Sequence, residues 1–259
     1  MHKLPPQNRF VDLSDYARPL ASHFVRWLIP YRSITAITLT LAFTVVGLAA
    51  AFLIWRGQWL TVAALLLPAK SFLDAADGSL ARARNTPSHV GRFLDSFCDF
   101  LVNLALFLAI AHYTGQPAWY ALLALLLATT QGSVYNYYYV VKRHAAAGDR
   151  TSLVDERQPP LPHPQDHPGL LTLLHRLYLI IYYWQDRLVH RLDPRAVEYG
   201  DRLTHGFLSA VSVLGLGFQL LVICVFLLSG LAHLVFFYFT IFGTVYTLGL
   251  VFYRRRALS

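Results

Sequence analysis

Four aspartates, Asp74, Asp77, Asp95 and Asp99, are the only carboxylates between Asp15 and Asp149, and apolar sequence flanks them on both sides. Spacing sets what they can do together. Asp74 and Asp77 stand three residues apart and Asp95 and Asp99 four apart, so each pair shares one helix face. Gly91 lies one turn before Asp95 on that face and leaves room for a ligand. Gly78 follows Asp77 where a helix is expected to end. One charge at the centre of a membrane helix costs roughly 2.5–3.5 kcal/mol, so four unpaired ones cost on the order of 10 kcal/mol unless they bind cations or sit near the interface. Two divalent ions carry the charge that four carboxylates neutralise, and hard oxygen ligands select Mg²⁺, Mn²⁺ or Ca²⁺ over zinc. Helix capping and surface ion pairs are the plainer use for these acids. Their apolar setting argues for function instead.

The full pattern is D-x2-D-G-x2-A-R-x8-G-x3-D-x3-D, met by Asp74, Asp77, Gly78, Ala81, Arg82, Gly91, Asp95 and Asp99. It resembles the signature of the CDP-alcohol phosphotransferases, integral membrane enzymes that join a phospho-alcohol from a CDP-linked donor to a second alcohol. Eight positions fixed over so short a stretch make the signal specific. The resemblance implies two divalent cations, Mg²⁺ or Mn²⁺, held by Asp74, Asp77, Asp95 and Asp99. It implies that Asp99 acts as general base, and that Gly78, Arg82 and Gly91 contact the CDP moiety. Ser88 is a candidate extra hydroxyl donor beside them. A carboxylate next to two cations is a weak base, so polarisation of the acceptor alcohol by metal can matter as much. For Arg82 a lipid-headgroup contact is the alternative reading. Members of the family commonly form homodimers, which carries over as an expectation.

The elements that position these residues follow from composition. Of 259 residues, 56% are hydrophobic and 14% charged, with several apolar runs near twenty residues, which reads as a polytopic all-α membrane protein. Six transmembrane helices are expected: about 33–55, 58–73, 89–112, 118–141, 207–228 and 232–253. The second delivers Asp74 and Asp77 at its end, and the third carries Asp95 and Asp99 in its first turns. The net charge of +8 does not call for nucleic acid, because the basic residues sit at the ends of apolar segments, as headgroup contacts and the positive-inside rule require. With the N-terminus inside, every Lys and Arg except Arg56 falls on the cytoplasmic side. That places both acid pairs there too, and points to a bacterial inner membrane. Met1 to Asp15 has no apolar core of a cleaved signal peptide. Cys98 and Cys224 lie in apolar segments and read as buried thiols without a disulfide.

The chain then divides into a cytoplasmic N-terminus (1–32), four spans carrying the motif (33–142), a cytoplasmic loop (143–206), and two spans with a basic tail (207–259). Residues 12–28 read as an amphipathic juxtamembrane helix, with Leu20, Phe24, Trp27 and Leu28 on one face and Arg18 and Arg26 opposite. An ordinary packed helix is the alternative. Members of the family resembled tend to carry a Pro-Asn-x-x-Thr element at the start of the first span. Here Pro30 and Thr35 recur and the Asn does not, which leaves a donor-binding role open. The loop contains a proline-rich connector (158–168), expected to be extended. Gly169 to Leu192 then reads as an interfacial or dimer-packing helix, its apolar core too short to cross.

At the end of the fourth span, Gln131, Tyr135 and Tyr139 recur at helical spacing and could line an acceptor cavity. Lys142 and Arg143 could bind a phosphorylated acceptor, or the tyrosines could cage a quaternary ammonium. An interfacial aromatic belt with snorkelling basic residues is the plainer account. The 11 histidines show no metal-ligand spacing, and Arg254, Arg255 and Arg256 read as a positive-inside anchor.

The reading is therefore a transferase that moves a phosphatidyl-type group from CDP-diacylglycerol to a small or lipid alcohol acceptor, releasing CMP among membrane lipids. An aminoalcohol phosphotransferase using CDP-choline or CDP-ethanolamine is the alternative. A cation transporter would spread its acids through broken helices in paired halves, and a catalytically dead scaffold would not need the intact motif.

Overall fold

The computed structural model describes residues 4–148 and 152–257; the ends of the N-terminal stretch and of the basic tail, and residues 149–151 of the loop, lie outside them. Among the described residues the chain is all-helical, with no strand. The helices are α1 (Arg18–Leu28), α2 (Ala36–Trp55), α3 (Leu60–Ala83), α4 (His89–Thr114), α5 (Ala118–Ala145), α6 (Pro168–Tyr178), α7 (Trp184–Leu192), α8 (His205–Ser212), α9 (Leu216–Leu228) and α10 (Ala232–Ala257).

Local signals explain the boundaries. Thr35 caps α2: its hydroxyl accepts from the Thr38 amide at 3.1 Å, and its own amide donates to the Thr38 hydroxyl at 3.3 Å. Ser88 caps α4, and Gly115 at φ 67° ends it in the left-handed conformation. Three helices, α2, α4 and α10, are long and apolar enough to cross a membrane, and α8 with α9 makes a fourth if this pair, bent by 48°, is one span. These helices make the chain membrane-type in character. Neither α3 nor α5 passes the same test, although they reach 24 and 28 residues. The polar residues Lys70, Asp74, Asp77 and Arg82 lower the apolarity of α3, as Gln131, Asn136 and Lys142 do for α5.

The core lies where α2, α3 and α4 meet. Small residues, Ala50, Ala63 and Ala64, are fully buried there and let the helices approach closely. A Cβ added to Gly47 would stand 2.4 Å from a Val102 methyl. On the other side, Phe107 stacks with Phe236 and Phe239 of α10 at 5.9 and 5.4 Å. Both cysteines are free and buried.

Four sequence expectations change. α3 does not stop near Leu73 or at Gly78 but continues to Ala83, because Gly78 adopts no left-handed backbone. Lys70, counted among the cytoplasmic cations, is buried inside α3 at 1% exposure. Arg18 turns inward: it pairs with Asp15 and reaches Ser79 at 3.2 Å. The packed face of α1 is Ala21, Val25 and Leu28 against Ala76 and Leu80, while Leu20 and Trp27 point outward at 67% and 81% exposure. Arg254 is no anchor: it is 3% exposed and donates to buried Asp193 at 2.5 Å. Tyr138 also donates to that carboxylate, at 2.9 Å. This clasp ties the loop to α5 and α10.

The loop packs on its own chain. Leu171 and Leu174 of α6 seat against Val90 and Phe93 of α4, and Val189 of α7 joins a cluster with Val134 and Tyr138 of α5. A π-helical turn, Leu179–Tyr183, joins α6 to α7. The N-terminal strap reaches across the molecule. The Leu13 amide donates to Ser212 at 2.9 Å, Tyr135 donates to Asp12 at 2.6 Å, and the Gly217 amide donates to Ser14 at 3.1 Å. A Cβ on Gly217 would lie 1.9 Å from the Ser14 carbonyl oxygen, so the strap fits this break in the helix pair only because no side chain is there.

Candidate active site

Helices α3 and α4 bring three of the four aspartates together. Asp74, Asp95 and Asp99 offer carboxylate oxygens that all lie within 4.8 Å of one another. One oxygen of Asp95 is buried with no hydrogen-bond partner. Buried acceptors are normally satisfied, so an orphan oxygen between two further carboxylates fits a hard cation. Asp77, 6% exposed, is not among the acids that all meet within that distance, and one of its oxygens accepts from the Thr40 hydroxyl of α2 at 2.7 Å. Thr40 had no signal in the sequence, since one Thr in a membrane helix is ordinary.

Lys70 is the main residue that sequence reasoning missed. Its ammonium donates to Asp74 at 3.0 Å and also to Asp99, beside the Phe43 ring with the centroid at 4.3 Å. A lysine one turn before Asp74 on an apolar stretch could have been read as part of the same charge cluster. The four acids and Lys70 together carry a net charge of minus three, not minus four. Two divalent ions would then leave an excess of positive charge, suited to a pyrophosphate.

The donor candidates fall at the ends of α3 and α4. Gly78 gives way to Arg82: an added Cβ would stand 3.2 Å from an Arg82 guanidinium nitrogen. Arg82 also reaches Ser79 at 3.5 Å. Ser88 accepts from the Gly91 amide at 2.9 Å and donates to Asp166 at 2.6 Å. Asp166, from the loop, accepts besides from the amides of His89, Val90 and His163. Burial raises the Asp166 carboxyl, but these hydrogen bonds outweigh it and hold it below 3.8. The Ser88 hydroxyl is thus engaged in closing the loop onto α4. A Cβ at Gly91 would meet only the Ser88 side chain, at ordinary contact distance.

A cavity of about 340 Å³ opens over the acids. Asp74, Asp95 and Asp99 line one side, and Tyr135, Tyr178, Tyr182 and Asp186 line others. Only Tyr135 of the expected α5 trio lines it. Gln131 is buried and donates to the Phe239 carbonyl at 2.8 Å. Tyr139 stacks on Tyr135 at 5.6 Å and faces a second hollow under the strap. Lys142 spends its ammonium on the Asp201 carbonyl at 3.1 Å. The cationic side chain at the cavity is Arg92, held by both oxygens of buried Glu156 at 2.7 and 3.0 Å. The loop therefore supplies a wall of the cavity that the motif alone does not encode. Burial raises the Tyr178 and Tyr182 phenols well above their usual range, so they serve as donors: Tyr178 to Asp186 at 3.0 Å, Tyr182 to the Ser96 carbonyl at 3.0 Å.

Over 125 residues, 47% of its length, the chain is 37% identical to a protein of Thermococcus kodakarensis named bifunctional IPC transferase and DIPP synthase. It spans 28% of the length of that relative. No solved structure matches it. The family model for CDP-alcohol phosphatidyltransferases matches residues 33–161, the stretch that carries α2 to α5 and the acid cluster. With its motif complete over that stretch, the chain belongs to the CDP-alcohol phosphatidyltransferase family.

Proposed function

We infer that this protein transfers a phosphatidyl group from CDP-diacylglycerol to an acceptor alcohol, with release of CMP. The observation that carries the reading is the convergence of Asp74, Asp95 and Asp99 within 4.8 Å at the side of a cavity of about 340 Å³. The acceptor oxygen forms a bond to the phosphorus that bears the donor alcohol. The bond from that phosphorus to the bridging oxygen breaks, and CMP leaves with the electron pair. The acceptor proton passes to Asp99, once Lys70 has released it.

Asp74, Asp77, Asp95 and Asp99 would hold two divalent cations, Mg²⁺ or Mn²⁺. Those ions supply charge neutralisation for the pyrophosphate and the departing phosphate. Arg82 pairs with phosphate oxygens, with Gly78, Ser88 and Gly91 beside it at the donor. α2, α3, α4, α5, the α8–α9 pair and α10 are the six spans. The site faces the cytoplasm of a bacterial inner membrane, and the protein works as a homodimer.

The test is CMP release by the purified protein from CDP-diacylglycerol, with an acceptor panel, in Mg²⁺, in Mn²⁺ and in excess chelator. Metal-dependent CMP release is the expected result. Full turnover in chelator overturns the two-metal reading, and no CMP from any CDP-alcohol overturns the transferase reading.

A further inference from the structure

We propose that Asp186 selects an acceptor that carries a protonated amine, an amino-alcohol, over a phosphorylated or an uncharged one. This rests on the transferase reading above and names the acceptor class for its cavity.

The argument begins with the charges that line the cavity. Asp74 and Asp99 are bridged by Lys70, and Asp15 is paired with Arg18. Arg92 is matched by Glu156. Asp95 too has no ion pair, but it stands among the carboxylates that would hold metal; away from that cluster, Asp186 is the cavity acid with no ion-pair partner among the described residues. What it has are neutral hydroxyl partners, Tyr178 at 3.0 Å and Ser133 of α5. A phosphorylated acceptor would bring its negative charge beside this uncompensated carboxylate and would find Arg92 already taken. A protonated amine would supply the missing partner.

The aromatic setting points the same way. Tyr178, Tyr182 and Asp186 follow one another at intervals of four along one ridge of the loop helix. The Tyr178 and Tyr182 rings stand 5.4 Å apart, and Tyr135 lines the cavity as well. Ring faces attract cations. The π-helical turn Leu179–Tyr183 lies within this ridge, and such turns recur at functional sites. Tyr182 also donates to the carbonyl of Ser96, the residue after Asp95. The ridge is thereby fastened to the turn of α4 that carries Asp95 and Asp99, so an amine at Asp186 would place its hydroxyl on the acid side of the same cavity.

The experiment uses the full chain with CDP-diacylglycerol and Mg²⁺. CMP release is followed with ethanolamine and serine, with glycerol, and with glycerol phosphate, for wild type, Asp186→Asn and Asp186→Glu. Donor affinity is measured calorimetrically on each. Wild type is expected to prefer an amine-bearing acceptor. Asp186→Asn is expected to raise the KM for it by about tenfold or more, as loss of a charged hydrogen bond predicts. Its kcat and donor affinity should stay near wild type, and Asp186→Glu should restore most of the loss. Preference for glycerol phosphate or glycerol, or an unchanged KM in Asp186→Asn, overturns the proposal. If donor fails to bind in Mg²⁺ and no acceptor yields CMP, the transferase reading itself falls and takes the proposal with it. An Asp186→Asn protein that binds donor normally has folded, so its KM then decides.

Discussion

Lys70 and Asp74 are 3.0 Å apart across one turn of α3, and the same lysine donates to Asp99 on α4. One buried ammonium thus links the two helices that carry the acids. It supplies part of the positive charge that divalent ions would otherwise bring. Replacing it should make the cluster depend more strongly on metal. Lys70→Met is expected to melt at lower temperature than wild type in chelator and to gain more from added Mg²⁺, because a ligand that binds only the folded state stabilises it. Thermal unfolding in detergent across a Mg²⁺ titration measures this. A metal-induced shift equal to that of wild type would show that Lys70 does not share the charge of the site.

Asp77 and Asp99 should differ in what they lose. Asp77→Asn is expected to fold, to lose donor binding with metal, and to release no CMP. Asp99→Asn should keep donor affinity while kcat falls on the order of a hundredfold or more, since an amide cannot accept the acceptor's proton. Calorimetry on both variants beside steady-state CMP release separates the cases. Equal loss of donor binding would make Asp99 chiefly a metal ligand. Turnover near wild type in Asp99→Asn would mean that no base is needed there.

The Asp193–Arg254 clasp is a matter of stability rather than chemistry. Both side chains are buried, at 2% and 3% exposure. Removing one partner leaves the other charged and unpaired, so Arg254→Met should cost about 3 kcal/mol or more. Asp193→Asn with Arg254→Met should recover part of that loss. Unfolding of the two proteins in detergent, with CMP release per folded molecule as control, tests it. A single variant as stable as wild type would remove the clasp from the account.

Acceptor recognition should depend on pH. Burial raises the Asp186 carboxyl from 3.8 to about 6, against lowering hydrogen bonds from Tyr178 and from Ser133 of α5. Glu156 of the loop pushes it further up and Arg92 of α4 pulls it down. A carboxyl raised in this way is neutral below about 6 and charged above it. The KM for an amino-alcohol should therefore rise as pH falls from 7.5 to 5.5, while that of Asp186→Asn stays level. Parallel profiles for the two proteins would place the titration elsewhere.

How far the sequence reached depends on the kind of contact. The motif positions and the helices that bear them were legible, because periodicity and spacing within one segment are local. Asp95 and Asp99 share a face as their interval implies, and Asp74 meets them across the helix pair. One oxygen of Asp77 also meets Thr40, and nothing in the spacing of acids points to a hydroxyl 37 positions earlier. Lys70 is visible, but a lysine near a span end and one buried beside carboxylates look alike in a string. Asp186, Glu156 and Asp166 lie in a loop whose composition suggested only a connector and a surface helix. Glu156 and Asp166 reach Arg92, Ser88, His89 and Val90 at the start of α4, and long-range pairing of this sort leaves no periodic trace.

The strap described earlier has a consequence for how the molecule is made. Leu13 and Ser14 find their partners, Ser212 and Gly217, 199 and 203 positions further along the chain. Loop closure over such a distance comes late in folding. During synthesis these residues emerge before their partners and must wait until α8 and α9 have followed. Until then Ser14 and Asp15, which line the finished cavity, have no seat, and that side of the reaction chamber stays open. The acids can meet as soon as α4 is in place. Completion of the chamber is left to residues made well before the partners that seat them.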